Sequence, residues 1–331
     1  MANSQMTPNN TPFTVLELKG IPEEEKRTFT AILLVLKVNQ KEARNGSPFL
    51  TIEMGDATGS FSSTCFSGNN TFDILSRNDI EGEVVALEGQ TDTFNGKFAP
   101  RILHIRVLGG EEKQAWLPKL IESSPEDPNA LWSELEGFIA SIQHEKLRKT
   151  VEAAFREHAD ALKVSAAAIS MHHAYRHGLL EHTVHVTRLA QAVLPLYPEV
   201  SRDLTLAGSL LHDIGKVLEY DGDRVVKKTQ AGILQGHVIL GYRIVRKAAL
   251  QSQLDESLME RLEHIILSHQ GALEWGAPVL AATPEAILVS LVDNLDAKLG
   301  MAQKALRSTP PHEPFSEFIP GLQSKLMVAP A

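Results

Sequence analysis

Cysteine is almost absent from this 331-residue chain, which contains a single one, Cys65. One cysteine excludes a disulfide framework and a cysteine-based zinc site, so any metal must be held by histidine, aspartate or glutamate. Long apolar runs are also missing, since stretches such as AILLVL are far too short to cross a bilayer. The opening MANSQMTPNN has neither the basic nor the apolar region of a secretory signal. We therefore expect a cytoplasmic protein that makes no membrane contact.

An excess of positive charge is lacking as well, because the formal net charge is −9. This charge argues against a strongly basic coat for nucleic acid, although it leaves room for a local cationic groove. A hydrophobic content of 43% with 22% charged residues is ordinary for a globular protein. The length of the chain predicts two domains, each able to bury a core of its own.

Strand patterns occupy the first third of the chain. Five short segments rich in β-branched and aromatic residues are separated by the turn sequences RNGS, DATG and FNGK. A helical interruption at about residues 70–77 lies between the third and fourth segments. This order matches the five-stranded Greek-key barrel called the OB-fold, which we predict over residues 13–110.

Helical patterns occupy most of the remaining chain. Residues 111–127 combine prolines with mixed charges and are predicted to be a linker. From Pro128 onward apolar residues recur at three- and four-residue spacing, which predicts an all-α domain over residues 128–308. Residues 309–331 are predicted to form an extended tail. The predicted fold class is thus a multidomain protein, with an N-terminal all-β OB-fold barrel followed by an all-α domain.

Nine of the 13 histidines fall between His172 and His269, inside the predicted helical domain. Helical spacing separates those that face the core from those that face solvent. In GLLEHTVHVTRLA, His182 lies on the apolar stripe, whereas His185 lies with charged residues and is predicted to point outward. In LMERLEHIILSHQG, His269 aligns with the apolar residues and His264 with the polar ones.

A His-Asp pair interrupts the apolar run GSLLHDIGKVLEY. Because nearly every side of this helix is apolar or small, His212 and Asp213 should be buried, and a buried charge needs a partner or a metal. Asp293 is a similar anomaly on the apolar helix EAILVSLVDNLDAKLG. Together with His182, these side chains form a nitrogen and oxygen donor set that could hold a divalent cation.

The order His, His-Asp, Asp in LLEHT, LLHDIGK and SLVDNLDAK resembles the HD superfamily of helical, metal-dependent phosphohydrolases. With the preceding OB-fold pattern and the motifs GHVILG and HIILSHQGALEWGAP, the chain more closely resembles the YhaM-type 3′→5′ exoribonucleases. The resemblance implies that one metal is bound by His182, His212, Asp213 and Asp293, with Asp213 bridging to a second. It also implies that the second metal is bound by His237 and His269.

One position departs from the family pattern, which usually reads His-His-Gly where this chain has His269, Gln270 and Gly271. The resemblance implies manganese, while the donor types alone also allow Mg²⁺, Fe²⁺ or Zn²⁺. Lys216, three residues after Asp213, is a candidate for stabilising negative charge at phosphorus. Its position near a helix end is equally typical of a lysine that interacts with the helix dipole.

Two further groups are candidates for substrate binding. In MHHAYRHG, the side chains of His172, His173, Tyr175 and Arg176 could grip phosphates and stack on a base, although a solvated helix start is an alternative. In the OB domain the candidates are Lys41, Arg44, Phe49, Lys97 and Arg101. From Gly20 to Gly110 there are nine lysines and arginines against 12 acidic residues, so nonspecific electrostatic binding should be modest.

Three functions remain open from the sequence. The family resemblance favours a metal-dependent 3′→5′ exonuclease that acts on single-stranded RNA, with DNA as a second substrate, and releases nucleoside 5′-monophosphates. The second is an HD-type phosphodiesterase of small nucleotides or cyclic dinucleotides with a regulatory OB domain. The third is a non-catalytic OB nucleic-acid-binding protein whose HD pocket senses a ligand. A homo-oligomer is a further expectation.

Overall fold

The structure is a computed structural model and describes residues 11–169, 173–222, 225–310 and 312–328. The chain divides into two compact units. The first, called here the β unit, extends to Glu122 and includes Ala305–Phe318 and the segment from Lys325. The second, called here the helical unit, comprises Ser123–Lys304 and Ile319–Ser324. The prediction of a strand-rich domain followed by a helical one is confirmed.

The β unit is built around an antiparallel sheet of five strands in the order β3-β2-β1-β4-β7. Its elements are α1 (Val15–Lys19), β1 (Thr28–Glu42), β2 (Pro48–Asp56), β3 (Gly59–Phe66), α2 (Asn70–Leu75), β4 (Val84–Gln90), β5 (Thr93–Phe94), β6 (Lys97–Phe98), β7 (Arg101–Val107) and α3 (Gly110–Leu120). The predicted helical interruption corresponds to α2. The two edge strands come together where the Ser63 hydroxyl on β3 donates a hydrogen bond to the carbonyl of Pro100, just before β7.

Alternation along β2 and β3 separates a core face from an outer face. On β2, for example, Leu50, Ile52 and Met54 are buried, while Thr51 and Glu53 between them are partly exposed. This period of two follows from the pleat of a β-strand. On β2 and β3 the apolar residues therefore pack on one side and the polar residues face outward, whereas the central strands β1 and β4 are buried on both sides over much of their length.

Two segments differ from the sequence prediction. The predicted linker, residues 111–127, contains most of α3, whose acidic first turn and basic last turn complement the helix dipole. Within this helix Lys113 forms an ion pair with Glu83 at 2.6 Å. The predicted tail folds back on itself through bridges between Phe315 and Met327 and between Ile319 and Ser324. These local contacts give regular structure to two segments that the sequence predicted to be a linker and an extended tail.

The helical unit packs eight α-helices and one short β-hairpin around an apolar core in the part of the chain described. Its elements are α4 (Pro128–Ala140), α5 (Glu145–Val164), α6 (Gly178–Val193), α7 (Arg202–Leu211), α8 (Lys216–Glu219), β8 (Tyr220–Asp221), β9 (Lys227–Lys228), α9 (Gln230–Gln251), α10 (Glu256–Ser268) and α11 (Pro284–Ser308). In the described ranges we find no helix both long and apolar enough to span a bilayer.

Close backbone contact at Gly215 brings the turn after Asp213 against α9. A Cβ atom at this position would lie 2.0 Å from the carbonyl oxygen of His237 and 2.4 Å from the backbone nitrogen of Gly241. Any side chain here would push α9 away. The glycine in HDIGK thus allows His237 to approach Asp213.

Candidate metal centre

Four side chains from three parts of the helical unit converge on one point. His182 lies on α6, His212 and Asp213 follow α7, and Asp293 lies on α11. The Nε2 atom of His182 is 3.1 Å from His212 Nε2, 3.3 Å from Asp213 Oδ2 and 3.2 Å from Asp293 Oδ1. Atoms that bind one ion at about 2.1 Å lie roughly 3 to 3.5 Å apart, so this spacing is that of a coordination shell.

The other oxygen of Asp213 faces a second group. Asp213 Oδ1 lies 3.5 Å from the Nε2 atom of His237 on α9 and 3.5 Å from that of His269 at the end of α10. Among the described residues this buried oxygen accepts no hydrogen bond. A buried carboxylate oxygen without a donor is costly unless a cation compensates it. Asp213 is therefore suited to bridge two cations, one on each oxygen.

All four histidines direct Nε2 into the centre because the Nδ1 atom of each is engaged on its other side. His212 Nδ1–H donates to the Ser209 carbonyl at 2.8 Å, and His269 Nδ1–H donates to the Ile266 carbonyl at 2.7 Å. Carboxylates take the same role for the other two. His237 pairs with Glu219 at 2.8 Å and His182 with Asp296 at 2.7 Å. Such acceptors fix the tautomer and leave the Nε2 lone pair free for a metal.

Asp296 was missed by the sequence analysis, although it lies one helical turn after Asp293 on α11. Its carboxylate accepts hydrogen bonds from three histidines, namely His173 Nε2 at 2.8 Å, His182 Nδ1 at 2.7 Å and His185 Nδ1 at 3.2 Å. Burial raises its pKa, but these three donors outweigh burial and lower the pKa far below the ordinary value of an aspartate. Its i, i+3 spacing from Asp293 was the available signal.

The prediction that His185 points outward is wrong. Only 21% of its side chain is exposed, and it lies between Asp296 and Glu126. The cause is the segment that leads into α4, which covers this side of α6. Arg188 on α6 forms ion pairs with Glu126 of this segment at 3.0 Å and with Glu134 on α4 at 2.6 Å. Charged residues on this helix face are partly covered by partners of opposite charge, whereas the sequence pattern suggested solvent.

The centre carries concentrated negative charge. Burial lowers the pKa of His182, but hydrogen bonds to Asp213, Asp293 and Asp296 raise it well above the ordinary value, so a cation that binds at Nε2 would displace a proton from it. Burial raises the pKa of Asp293, yet His182 and His212 bring it down to about 2. For Asp213 the neighbouring Lys216 and His212 likewise outweigh burial and lower the pKa well below its usual range. The carboxylates stay ionised at neutral pH and favour a divalent cation between them.

Lys216 is buried beside this centre, with Nζ 2.5 Å from Asp213 Oδ2.

The predicted substrate-binding residues before α6 do not form one exposed group. His172 lies outside the described residues, and Arg176 is exposed on the segment before α6. His173 and Tyr175 are buried, with the Tyr175 hydroxyl 2.8 Å from His173 Nδ1. Base stacking by Tyr175 is therefore not supported, because its ring is buried beside His173.

In the β unit, a cavity of about 950 Å³ opens along the edge strand β3 and beside the β5-β6 hairpin. Among its lining residues are Lys97 and Arg101, both predicted to bind substrate, and Lys19. Two aromatic residues that the sequence analysis missed, Phe66 and Phe94, also line it and are 62% and 71% exposed. Strand alternation was the signal for Phe66, because the preceding Cys65 faces the core.

Three other predicted residues of the β unit do not line this cavity. Lys41 and Phe49 are paired in register across β1 and β2, and Phe49 is paired in turn with Phe66 on β3. The Phe49 and Phe66 ring centroids are 5.9 Å apart. This cross-strand row therefore lies beside the cavity on the outer face. Arg44 is exposed in the turn between β1 and β2, outside the row.

Comparison with known proteins identifies the helical unit first. Residues 179–298 match the HD domain family, and this span contains every candidate metal ligand named above. Over 303 residues the chain is 30% identical to the 3′-5′ exoribonuclease YhaM of Shouchella clausii (strain KSM-K16). The match covers 90% of this chain and 92% of that protein. The chain therefore belongs to the YhaM family, as its sequence motifs predicted.

Proposed function

We propose that this protein is a metal-dependent 3′→5′ exonuclease that removes nucleoside 5′-monophosphates from single-stranded RNA. The observation that carries the proposal is the two-sided donor set, in which Asp213 offers one oxygen to each of two groups of imidazoles. The exoribonuclease name of the relative supports RNA as the substrate and the 3′ end as the starting point.

The proposed ligands divide between two cations. His182, His212 and Asp293 would hold the first, His237 and His269 the second, and Asp213 both. The bound cations would supply a water of lowered pKa and neutralise charge on the phosphate that is attacked. Manganese is our choice for both positions because of the family resemblance; the imidazole and carboxylate donors by themselves also suit Mg²⁺, Fe²⁺ and Zn²⁺.

The protein's own groups would orient the reaction. The acceptors behind the four histidines hold the imidazoles in place, so that little reorganisation is needed when the substrate binds. Lys216 adds a positive charge beside Asp213, where a nonbridging phosphate oxygen would gain negative charge. Cleavage with the 3′ oxygen as leaving group produces a 5′-monophosphate and a new 3′ hydroxyl, so the shortened strand is again a substrate.

The outer face of the β unit is the proposed binding surface for the single-stranded RNA. Exposed Phe66 and Phe94 could stack on bases, while Lys97 and Arg101 could contact phosphates. Stacking on aromatic rings does not distinguish ribose from deoxyribose, so single-stranded DNA is a secondary substrate in this proposal. We propose that the activity is cytoplasmic, as the sequence predicted.

A time course with 5′-labelled single-stranded RNA and Mn²⁺ tests the function. We expect a ladder that shortens stepwise from the 3′ end, release of 5′-monophosphates, arrest at a stable duplex and loss of activity with a chelator. Early internal fragments or 3′-phosphate products would contradict the proposal. Untouched RNA beside a hydrolysed cyclic dinucleotide would favour the small-nucleotide phosphodiesterase, and binding without any hydrolysis would favour a ligand-sensing protein.

Self-association stays a prediction, and α11 is the surface proposed for it. Every fourth residue along part of this helix is a large apolar side chain that is 46 to 64% exposed, namely Ile287, Leu291, Leu295 and Leu299. Rows with this spacing pack against each other when two copies of a helix cross. Light scattering should give a mass above that of one chain, and Leu291→Glu should reduce it; an unchanged mass would exclude this row.

A further inference from the structure

Gln270 lies against both imidazoles of the second group. It follows directly after His269 at the end of α10, and its amide nitrogen is 2.9 Å from His237 Nε2 and 3.0 Å from His269 Nε2. These two nitrogens are the atoms that face Asp213 Oδ1 at 3.5 Å. The amide therefore shares a small space with three proposed ligand atoms.

Only one of the two orientations of the Gln270 amide forms hydrogen bonds with the two histidines. Because Nδ1 of His237 is engaged by Glu219 and Nδ1 of His269 donates to Ile266, both Nε2 atoms carry lone pairs. The NH₂ end of Gln270 can donate to both of them. A half turn about the Cγ–Cδ bond exchanges this end for the carbonyl oxygen, which is an acceptor and a metal ligand. The same side chain can thus hold the imidazoles or join them as a ligand.

We propose that the Oε1 atom of Gln270 is a ligand of the second cation, together with Asp213 Oδ1, His237 Nε2 and His269 Nε2. This inference deepens the proposed function and rests on it. The resulting donor set contains two imidazoles, one carboxylate oxygen and one neutral amide oxygen. Such oxygen ligands suit hard cations, Mn²⁺ and Mg²⁺ among them.

The charges of the two groups predict that they differ in affinity. The first group contains two carboxylates, Asp213 and Asp293, whereas the second has only its share of Asp213. A neutral amide adds a ligand without adding charge. We therefore expect the second cation to bind more weakly than the first and to exchange more readily, with Gln270 setting the size of the difference.

Two substitutions distinguish a ligand from a hydrogen-bond donor. Gln270→Ala removes both functions. Gln270→Glu keeps the size of the side chain and replaces the NH₂ group with a second oxygen, so it strengthens a metal ligand but destroys the donor to the histidines. The sign of its effect on cation affinity is therefore decisive, even if the alanine variant is unstable. Gln191→Ala, at an exposed position on α6, is the matched control.

The experiment is a titration of the chelator-treated full chain with Mn²⁺, in which free Mn²⁺ is followed by electron paramagnetic resonance. We expect two classes of bound ion in the wild type and in Gln191→Ala. Gln270→Ala should raise the dissociation constant of the weaker class at least about tenfold and leave the tighter class unchanged, while Gln270→Glu should lower it. Circular dichroism establishes that each variant is folded.

Three results would overturn the inference while the proposed function survives. They are a single class of Mn²⁺ in a wild type that still degrades RNA, two classes that Gln270→Ala does not change, and weaker binding in Gln270→Glu. A wild type that binds no Mn²⁺ and hydrolyses no RNA would instead remove the proposed function, and the inference with it.

Discussion

The two units of this protein arrange their polar residues in opposite ways. In the helical unit, the donor atoms around Asp213 come from segments spread between residues 182 and 293, and nearly all of them are buried. In the β unit, the aromatic and cationic residues of the outer face lie on neighbouring strands and one hairpin, and they are exposed. The polar residues of the helical unit thus surround one buried carboxylate, whereas those of the β unit are spread over an exposed surface.

The difference matches what each unit is proposed to do. Chemistry at phosphorus needs charges held in place and shielded from water, which a buried network with satisfied Nδ1 atoms provides. Binding a strand of any sequence needs rings and cations that the strand can reach. Substitutions in the helical unit should therefore stop hydrolysis without weakening RNA binding, and those on the β face should do the reverse.

The largest effect is expected from Asp213→Ala, because this carboxylate is the proposed ligand of both cations. Hydrolysis of RNA at saturating Mn²⁺ should fall more than about a thousandfold, while the dissociation constant for RNA measured by fluorescence anisotropy stays the same. The exposed Asp160 on α5 provides the control Asp160→Ala. Full activity in Asp213→Ala with an unchanged metal content would show that the centre lies elsewhere.

A smaller effect is expected from Asp296→Asn, since Asp296 positions His182 without facing the cation. Loss of such an orienting carboxylate should weaken Mn²⁺ binding by about 10- to 100-fold, and excess Mn²⁺ should restore much of the activity. His185→Ala removes only one of the three donors to Asp296, so we expect it to weaken Mn²⁺ binding by only about fivefold. A titration of activity against Mn²⁺ concentration measures both; identical curves for all three proteins would exclude a positioning role.

On the β face, Phe66→Ala and Phe94→Ala should each weaken RNA binding by at least about fivefold, because each removes a ring on which a base can stack. Hydrolysis of a small phosphodiester should be unaffected, since it does not need the strand to bind. Tyr197→Ala removes an exposed ring from the helical unit and is the control. Equal affinity for RNA in all variants would assign this face to another task.

The smallest effect on function is expected from Glu285→Gln, which tests the contacts that attach the start of α11 to the neighbouring helices. The buried Glu285 carboxylate accepts from the Ser201 backbone N–H at 2.9 Å and pairs with Arg261 at 2.7 Å. Burial raises its pKa, but these partners outweigh burial and lower it below the ordinary value. We expect Glu285→Gln to reduce the free energy of unfolding at pH 7 by about 1 to 3 kcal/mol and to leave RNA affinity unchanged.

The pH dependence of this effect follows from the lowered pKa. As the pH falls, the unfolded chain takes up the proton before the folded chain does, so the contribution of Glu285 is complete at neutral pH. It is lost as the pH falls through the lowered pKa of the folded state. Urea unfolding at pH 7 and below about pH 4 should show the difference between wild type and variant shrinking. A constant difference would mean that packing, and not the charge, is responsible.

Local patterns in the sequence were sufficient for the order of strands and helices. Runs of β-branched and aromatic residues between turn sequences marked the strands, and apolar residues at three- and four-residue spacing marked the helices. The His-Asp pair in an apolar run indicated buried polar chemistry at His212 and Asp213, because a core excludes unpaired charge. The order of the remaining motifs was enough to name the proposed ligands and to identify the family.

Only the tertiary structure decided which faces are covered and which atoms meet. Helical periodicity groups residues on one side of a helix but does not say what packs against that side, so His185 was assigned to solvent and Asp296 was overlooked. The same limit applies to Gln270, whose amide reaches His237 across 33 positions of the chain. Contacts of this kind depend on the close approach of α8 and α9 at Gly215, and that approach is a property of packed helices.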